Sequence, residues 1–169
     1  QSGLLEQAAT PRELSEAPAT EFVARFVGFE NLLDARIAAI GSGRCDVRVP
    51  GFGGVLGVPA PAFAVQHDDE VKLAVRGVNI VLSEDATVGV EGILREVNYL
   101  GVRTEYRVEV NGQSLTVVRG EGDARALHEL SPGIRMGVTI VAGYCCIVTP
   151  SDLPLTTQAI RTPVQQESR

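Results

Sequence analysis

The sequence has few of the residues with which proteins bind nucleic acids. Its 169 residues include no tryptophan, only five phenylalanines and three tyrosines, and 21 acidic against 15 basic side chains. Nucleic-acid-binding proteins use clustered Lys and Arg to neutralise the phosphate backbone and aromatic side chains to stack on bases. With a net charge of −6, we expect no nucleic-acid partner.

Long hydrophobic runs are also missing. No stretch reaches the roughly 18 to 20 apolar residues of a membrane-spanning helix, and residues 1–20 lack a basic segment followed by an apolar one. The sequence therefore predicts neither a membrane span nor a signal peptide. Hydrophobic residues make up 44% of the chain, which is long enough to bury a core without disulfide bonds.

Cysteine is too scarce for a disulfide framework. Cys45, Cys145 and Cys146 are odd in number and contain no C-x-x-C pair. Because neighbouring residues of a strand point to opposite faces, one of the two adjacent cysteines should face the core and the other should face away. We interpret all three as reduced, buried hydrophobic residues of a cytosolic protein, and a redox role for the adjacent pair as the weaker alternative.

The common catalytic motifs are absent as well. The only lysine, Lys72, is not preceded by the glycines of a P-loop, and G-x-S-x-G is missing. The glycines of residues 51–57 lack the G-x-G-x-x-G spacing and predict turns. Residues 67–70, His-Asp-Asp-Glu, offer metal or acid–base ligands but fit a solvated inter-strand loop better, and His128 fits a surface position. We expect no catalytic residue, metal or cofactor in this chain.

Two short helices are predicted near the N terminus. Thr10, Pro11 and Glu13 have the residue types and spacing of an N-cap, a first-turn proline and a capping box, and this helix should end before Pro18. A second helix should begin after Thr20. It would place on one apolar face Phe22, Val23, Phe26 and Val27, with Gly28 at its C-terminal end.

From residue 33 onward the apolar period changes to two, which indicates half-buried antiparallel strands at about 33–37, 71–76 and 105–110. Glycines and prolines separate the strands at short intervals, as in a barrel or sandwich. A helical turn fits residues 124–130, and residues 151–169 predict an extended or disordered tail. Further strands are predicted at 45–49, 54–58, 78–82, 90–99, 137–142 and 145–149.

The clearest hairpin has Asn111-Gly112 as its loop, because both central residues of a type I′ turn need positive φ. Pairing outward from this loop sets Val110 against Gln113, and the next two pairs on the same face are apolar. The predicted core face of the hairpin therefore carries Tyr106, Val108, Leu115 and Val117.

Residues 2–33 read SGLLEQAATPRELSEAPATEFVARFVGFENLL. This stretch resembles a phrase of the ATP-binding subunits of ABC importers, the group that handles maltose, polyamines, ferric iron and related solutes. In that family the phrase joins the nucleotide-binding domain to the regulatory domain. The matching positions are Gly3, Glu6, Gln7, Pro11, Glu13, Leu14, Pro18, Phe22, Val23, Ala24, Phe26, Gly28 and Asn31.

Residues 71–82, VKLAVRGVNIVL, and 90–110, VEGILREVNYLGVRTEYRVEV, resemble the TOBE domain of the same subunits, an OB-like β-barrel. Arg76 stands where the family has the arginine of R-P-E. The resemblance implies an all-β fold class, an OB-like/TOBE antiparallel β-barrel preceded by short N-terminal helices. It divides the chain into a remnant of the nucleotide-binding domain and linker at 1–30, the regulatory β domain at 31–150, and the tail at 151–169.

The resemblance also implies a function, namely the C-terminal regulatory and dimerisation domain of the ATP-binding subunit of a solute importer. ATP and Mg would bind in the nucleotide-binding domain upstream, so the fragment would not be an enzyme although its full-length parent would be an ATPase. The implied partners are a second copy, that nucleotide-binding domain and membrane permease subunits, on the cytoplasmic side of the membrane. The alternative is a module that senses a small ligand or an oxyanion such as molybdate.

The structural and interface candidates are drawn from both stretches and from the hairpin. In the intact subunit, the apolar face of the second helix should pack partly on the nucleotide-binding domain, and in the fragment it would dock on its own barrel or on a second chain. The candidates are Phe22, Val23, Phe26, Asn31, Arg76, Tyr106, Asn111 and Gly112.

Overall fold

The computed structural model describes residues 10–120 and 130–150. The helical turn predicted at 124–130 (Leu130 excepted), His128 and the tail predicted at 151–169 lie outside the described residues. The elements are α1 (Pro11–Glu16), α2 (Glu21–Phe26), β1 (Asn31–Ile40), β2 (Arg44–Arg48), β3 (Leu56–Pro59), β4 (Glu70–Val75), β5 (Ile80–Ser83), β6 (Val90–Tyr99), β7 (Arg103–Val110), β8 (Gln113–Gly120), β9 (Arg135–Ile140) and β10 (Cys146–Val148).

The strands form two five-stranded antiparallel sheets, in the orders β10-β4-β1-β2-β3 and β5-β9-β6-β7-β8. Each predicted strand is present, with ends shifted by a few residues. The strand predicted at 33–37 is longer, at Asn31–Ile40. Two strands start later than predicted, β3 at Leu56 and β5 at Ile80, where a 3₁₀ turn takes the first positions. The all-β class with short N-terminal helices is confirmed.

The second half of the domain repeats the strand order of the first. β1–β4 and β6–β9 have the same pairing, and each set is followed by a 3₁₀ turn, Gly77–Asn79 or Ala142–Tyr144, and one last strand. These last strands are exchanged, because β5 pairs with β9 and β10 pairs with β4. Each sheet is therefore completed by a strand of the other half, which makes the halves inseparable.

Each sheet curls so that its own two edges approach each other. In the first sheet β3 approaches β10, and in the second β8 approaches the 3₁₀ turn before β5. Glycine is required at this closure, since a Cβ on Gly77 would lie 2.6 Å from Cγ2 of Val118. This curling gives each sheet an OB-like form. The core fills the space inside, and its largest fully buried side chains are Tyr106, Ile37, Leu73, Ile80, Leu94, Leu115, Met136 and Ile147.

Both helices begin as the sequence predicts. Thr10 caps α1 with a complete capping box: its hydroxyl accepts from the Glu13 amide at 3.3 Å, and its amide donates to the Glu13 carboxylate at 2.8 Å. The Thr20 hydroxyl caps α2 by accepting from the Val23 amide at 3.2 Å. Gly28 follows α2 with φ of +89°, which supports the predicted end of that helix.

α2 packs on the outer face of the first sheet. Ala24 and Phe29 bury Ala74 and Val148 there, in a small cluster separate from the main core. Strand β4 carries Ala74 on its outer face, and Ala74 is fully buried. This face is apolar because the helical segment covers it.

Candidate functional site

Arg76 holds the helical segment to the barrel. Its guanidinium lies 4.2 Å from the centre of the Phe29 ring and donates to the carbonyl oxygens of Val27 at 3.0 Å and Ser15 at 3.0 Å, and to the Ser15 hydroxyl at 3.1 Å. Carbonyls near a helix C terminus carry partial negative charge that suits a cation. One side chain at the end of β4 therefore fixes both α1 and the segment after α2.

A second contact supports the same junction. The Cys146 thiol donates to the carbonyl of Glu16 at 3.2 Å, and the Glu21 amide donates to the carbonyl of Thr149 at 3.0 Å. Strand β10 thus also touches both helices. The junction joins the helices to both halves of the domain, because β10 belongs to the second half.

Asn31, the first residue of β1, is buried and connects the two sheets. Its amide group donates to the carbonyls of Val75 at 3.2 Å and Thr116 at 2.9 Å, and its oxygen accepts from the Thr116 amide at 2.7 Å. The pair with Thr116 copies the hydrogen bonding of two adjacent strands. Asn31 is therefore a structural residue of the domain, not a residue open to a ligand.

The Asn111-Gly112 hairpin is confirmed with its predicted register, Val110 opposite Gln113 and Tyr106 opposite Val117. The two loop residues have φ of +47° and +82°. The structure adds a role, since the Asn111 side chain donates to the carbonyl of Gly51 at 2.6 Å. The hairpin loop therefore fastens the second half to the glycine turn of the first.

Tyr106 points into the core beside Val108, and both side chains are fully buried. Among the described residues, no hydrogen bond to its hydroxyl has normal geometry, although the Thr104 side chain lies within its reach. Burial raises the pKa of the Tyr106 phenol, because the phenolate would lose its hydration. Tyr106 is a packing residue, and no such bond gives its hydroxyl a functional role.

The apolar face predicted on α2 is divided between core and solvent. Val23 is buried with Ala24 against the barrel, whereas the Phe22 and Phe26 side chains are 43% and 81% exposed. The helix thus docks on its own barrel through one side only. Its other side remains open for contact.

A cleft of about 480 Å³ lies beside this junction. Its walls come from the connection between α1 and α2, from Phe29 and Arg76, from residues 59–63 and from the 3₁₀ turn before β10. The polar groups of Arg76 that face it are already bonded to Ser15 and Val27. The surface that the described residues contribute to the cleft is mainly apolar.

The adjacent cysteines point to opposite sides, as expected. Cys145 lies in the main core, and Cys146 lies at the helical junction. Burial raises the pKa of the Cys145 thiol to about 12 and that of Cys146 to about 11. Thiols that remain protonated are poor nucleophiles, so the packing interpretation agrees with the structure better than a redox pair.

Residues 67–69 form the expected loop between strands, and Glu70 is the first residue of β4. His67 and Asp68 are exposed, and 3.1 Å separates Nδ1 of His67 from Oδ2 of Asp68. The Asp69 carboxylate accepts from the backbone amide of Gln66 at 2.6 Å. Within residues 10–120 and 130–150, no three His, Cys, Asp or Glu side chains converge in a manner suited to a metal ion. The loop is explained by turn formation.

Sequence reasoning missed several partners of the candidate residues. Ser15 and Phe29 complete the Arg76 junction, Thr116 completes the Asn31 pair, and the Glu30 carboxylate accepts from the Gly77 amide at 2.8 Å. Ser15, Phe29 and Glu30 lie in the stretch that carried the resemblance, so that stretch was a usable signal. Thr116 carries no local signal, because its backbone makes the contact.

The fold and the junction define the class of protein. Residues 65–147 match the family model of the TOBE domain. The crystal structure of the cytoplasmic molybdate-binding protein ModG superimposes with a TM-score of 0.59 at 18% identity, over 71% of this chain and 96% of ModG. The chain contains a TOBE domain with an OB-like fold.

Sequence relatives identify the particular kind. The chain is 30% identical over 146 residues to the spermidine/putrescine import ATP-binding protein of Rubrobacter xylanophilus, covering 86% of this chain and 38% of that protein. It is 33% identical over 117 residues to the Fe(3+) ions import ATP-binding protein of Rhizobium etli, covering 69% and 31%. The chain is a relative of the ATP-binding subunits of ABC importers and spans about a third of their length.

No helix in the described residues is long and apolar enough to cross a membrane.

Proposed function

We propose that this chain is the C-terminal regulatory and dimerisation domain of the ATP-binding subunit of an ABC importer. The observation that carries the proposal is the match to these subunits over 86% of the chain. The importer would take up a small solute such as a polyamine or ferric iron, as the names of the relatives indicate.

The junction around Arg76 suggests how the domain would act. Arg76 at the end of β4 and Cys146 on β10 bind backbone carbonyls of the helical segment. The helices would therefore move together with the barrel. In the parent subunit these helices would connect the barrel to the nucleotide-binding domain. Two paired barrels would then keep two ATPase domains at a high effective concentration while those domains open and close.

The catalytic work would belong to the rest of the parent protein. ATP and Mg would bind in its nucleotide-binding domain, and the fragment itself would neither bind nor hydrolyse ATP. The further partners would be the membrane permease subunits, with the whole subunit on the cytoplasmic face of the membrane. The domain would contribute protein–protein contacts rather than catalysis.

Two measurements on the purified chain test the proposal. Light scattering should give a mass near 36 kDa, about twice the 17.9 kDa of the chain, and this mass should persist after deletion of residues 1–20. Phosphate release from ATP should equal that of a protein-free control. A mass of about 18 kDa at a concentration on the order of 100 µM would contradict dimerisation, since a standard specific interface gives tighter association.

The second candidate function is a sensor of small oxyanions. The similarity in fold to a molybdate-binding protein favours it, although 18% identity carries the fold alone. Calorimetric titration with molybdate separates the two functions. Saturable binding heat at one or a few sites would support the sensor. Injection heats equal to the heat of dilution would exclude molybdate binding and favour the dimerisation domain.

A further inference from the structure

The outer faces of the two sheets are equivalent, but among the described residues only the first is covered by a helix. The second is covered at Gly137 alone, by the backbone of Asp85 and Val88. In the first sheet, Cys146, Ala74 and Leu32 form a row across β10, β4 and β1. α2 and Phe29 lie over this row. Because the strand order is repeated, the same positions in the second sheet are Val81 on β5 and Thr139 on β9, which pair directly.

This second row is exposed and apolar at its edges. Val81 is 47% exposed, and two further valines, Val78 in the 3₁₀ turn before β5 and Val88 just before β6, are 57% and 48% exposed. The row ends at Gly89, where a Cβ would lie 2.4 Å from Oγ1 of Thr139. In the described part of the chain, no helix lies over it. We call Val78, Val81 and Val88 the valine face.

α2 has the shape and chemistry of an element that would cover such a face. Its inner side already covers the equivalent row of the first sheet through Ala24. Its outer side presents Phe22 and Phe26, with Arg25 between them and 62% exposed, at helical spacings of three and four that put the three side chains together. Exposed aromatic side chains next to an arginine are typical of interface anchors.

We propose that the valine face of one chain binds the outer side of α2 of a second copy. The inference rests on the homodimer of the proposed function and names its surface. Each α2 would lie between its own first sheet and the second sheet of its partner. Each chain offers both surfaces, so two such contacts can form about one twofold axis and close the assembly at two chains.

Charge supports the same pairing. Glu84 and Asp85 follow β5 directly, and both are exposed at the end of the valine face. The only basic residue of α2 is Arg25, which pairs with Glu21 at 2.9 Å within the helix and stays 62% exposed on the side that the proposal turns towards that face. Opposite charges at the rim of an apolar contact favour one orientation over others.

Single substitutions on exposed positions test the proposal without disturbing the core. We expect Phe26→Ser and Val81→Lys each to raise the dimer dissociation constant at least about tenfold in sedimentation equilibrium. The matched control is Val102→Ser, since Val102 is 79% exposed at the tip of the β6–β7 hairpin. It should leave the dissociation constant within about twofold. Circular dichroism checks that each variant folds, and Val88→Lys replaces Val81→Lys if that variant does not.

Mixing the two variants gives a sharper result. A heterodimer of Phe26→Ser and Val81→Lys chains places both substitutions in one contact and leaves the other contact intact. We therefore expect the equimolar mixture to dimerise more tightly than either variant alone. A mixture that dimerises no better than the two variants would overturn the reciprocal arrangement.

The remaining outcomes separate this inference from the proposed function. A wild-type dimer that neither variant weakens would overturn the valine face and leave dimerisation standing. A wild-type monomer at about 100 µM would overturn both. If Phe26→Ser in the full-length subunit lowers ATPase activity while Val81→Lys does not and the dimer mass is unchanged, the outer side of α2 binds the nucleotide-binding domain, and the inference is wrong.

Discussion

Asn31 and Thr116 exchange two hydrogen bonds, at 2.9 Å and 2.7 Å, although 85 positions separate them in the chain. The bonds join the start of β1 to the middle of β8, and hence one sheet to the other. The Asn31 side chain thus forms with the Thr116 backbone the hydrogen bonds that a neighbouring strand would form. The two exchanged strands make the halves inseparable, and this pair fixes how closely they approach.

Asn31→Ala should destabilise the protein by about 2 to 4 kcal/mol, because two part-buried backbone groups of Thr116 lose their partner. The free energy of unfolding in urea measures the loss. Asn98→Ala is the matched control: it is an exposed asparagine on β6 and should cost less than about 0.5 kcal/mol. Equal effects for the two variants would show that the Asn31 pair contributes nothing.

Val108→Ala should lower the free energy of unfolding by about 1 to 3 kcal/mol, through lost apolar area and the cavity left behind. Val108 is fully buried opposite Leu115. Its neighbour Glu109 points outward and forms an ion pair with Arg95 at 3.0 Å that is exposed on both sides. Glu109→Ala should therefore be nearly silent, and a loss below about 0.3 kcal/mol for Val108→Ala would contradict the core packing.

The hairpin can be predicted because its turn and its register depend only on a few consecutive residues. Asn111 and Gly112 accept positive φ, and the apolar period of two on either side fixes the register. The same reasoning applies to the caps at Thr10 and Thr20. These features need only a few consecutive residues, and the structure confirms them.

The exchange of β5 and β10 could not be predicted in this way. Both strands are short and apolar, and nothing in β5 distinguishes β9 from β4 as its neighbour. The contacts of Arg76 are similarly long-range, since the side chain reaches backbone oxygens 49 and 61 positions away. The resemblance pointed to Arg76, but its geometry emerged only with the fold.

Arg76→Met should loosen the helical segment more than the barrel. The methionine retains an apolar stem near Phe29 but cannot donate to Ser15 or Val27. We expect amide hydrogen exchange at Leu14 and Ala17, whose amides close the turns of α1, to become at least about tenfold faster. Arg135→Met, at a 72% exposed ion pair, serves as the control and should leave these rates unchanged.

Tyr106→Phe should leave stability unchanged within about 0.5 kcal/mol or increase it, since it removes a buried hydroxyl that has no hydrogen bond of normal geometry to the described residues. Tyr106→Ala should cost about 3 to 5 kcal/mol, because it opens a cavity in the core. Thermal unfolding of the two variants distinguishes packing from hydrogen bonding. A large loss in Tyr106→Phe would show that the hydroxyl forms a stabilising hydrogen bond, for which Thr104 is the candidate among the described residues.

The Cys145 thiol should make stability fall at high pH. Its pKa is raised to about 12 in the folded chain, whereas an unfolded cysteine titrates near 8.5. The unfolded chain therefore loses this proton first as the pH rises, so the stabilisation is complete below about pH 8.5 and declines towards pH 12. We expect the stability difference between the wild type and Cys145→Ala to shrink by up to about 1.4 kcal/mol for each pH unit in that window.

The matched control is Val108→Ala, which removes buried volume without a titrating group, and its cost should not change with pH. A constant difference for Cys145→Ala between pH 8 and pH 11 would contradict the raised pKa.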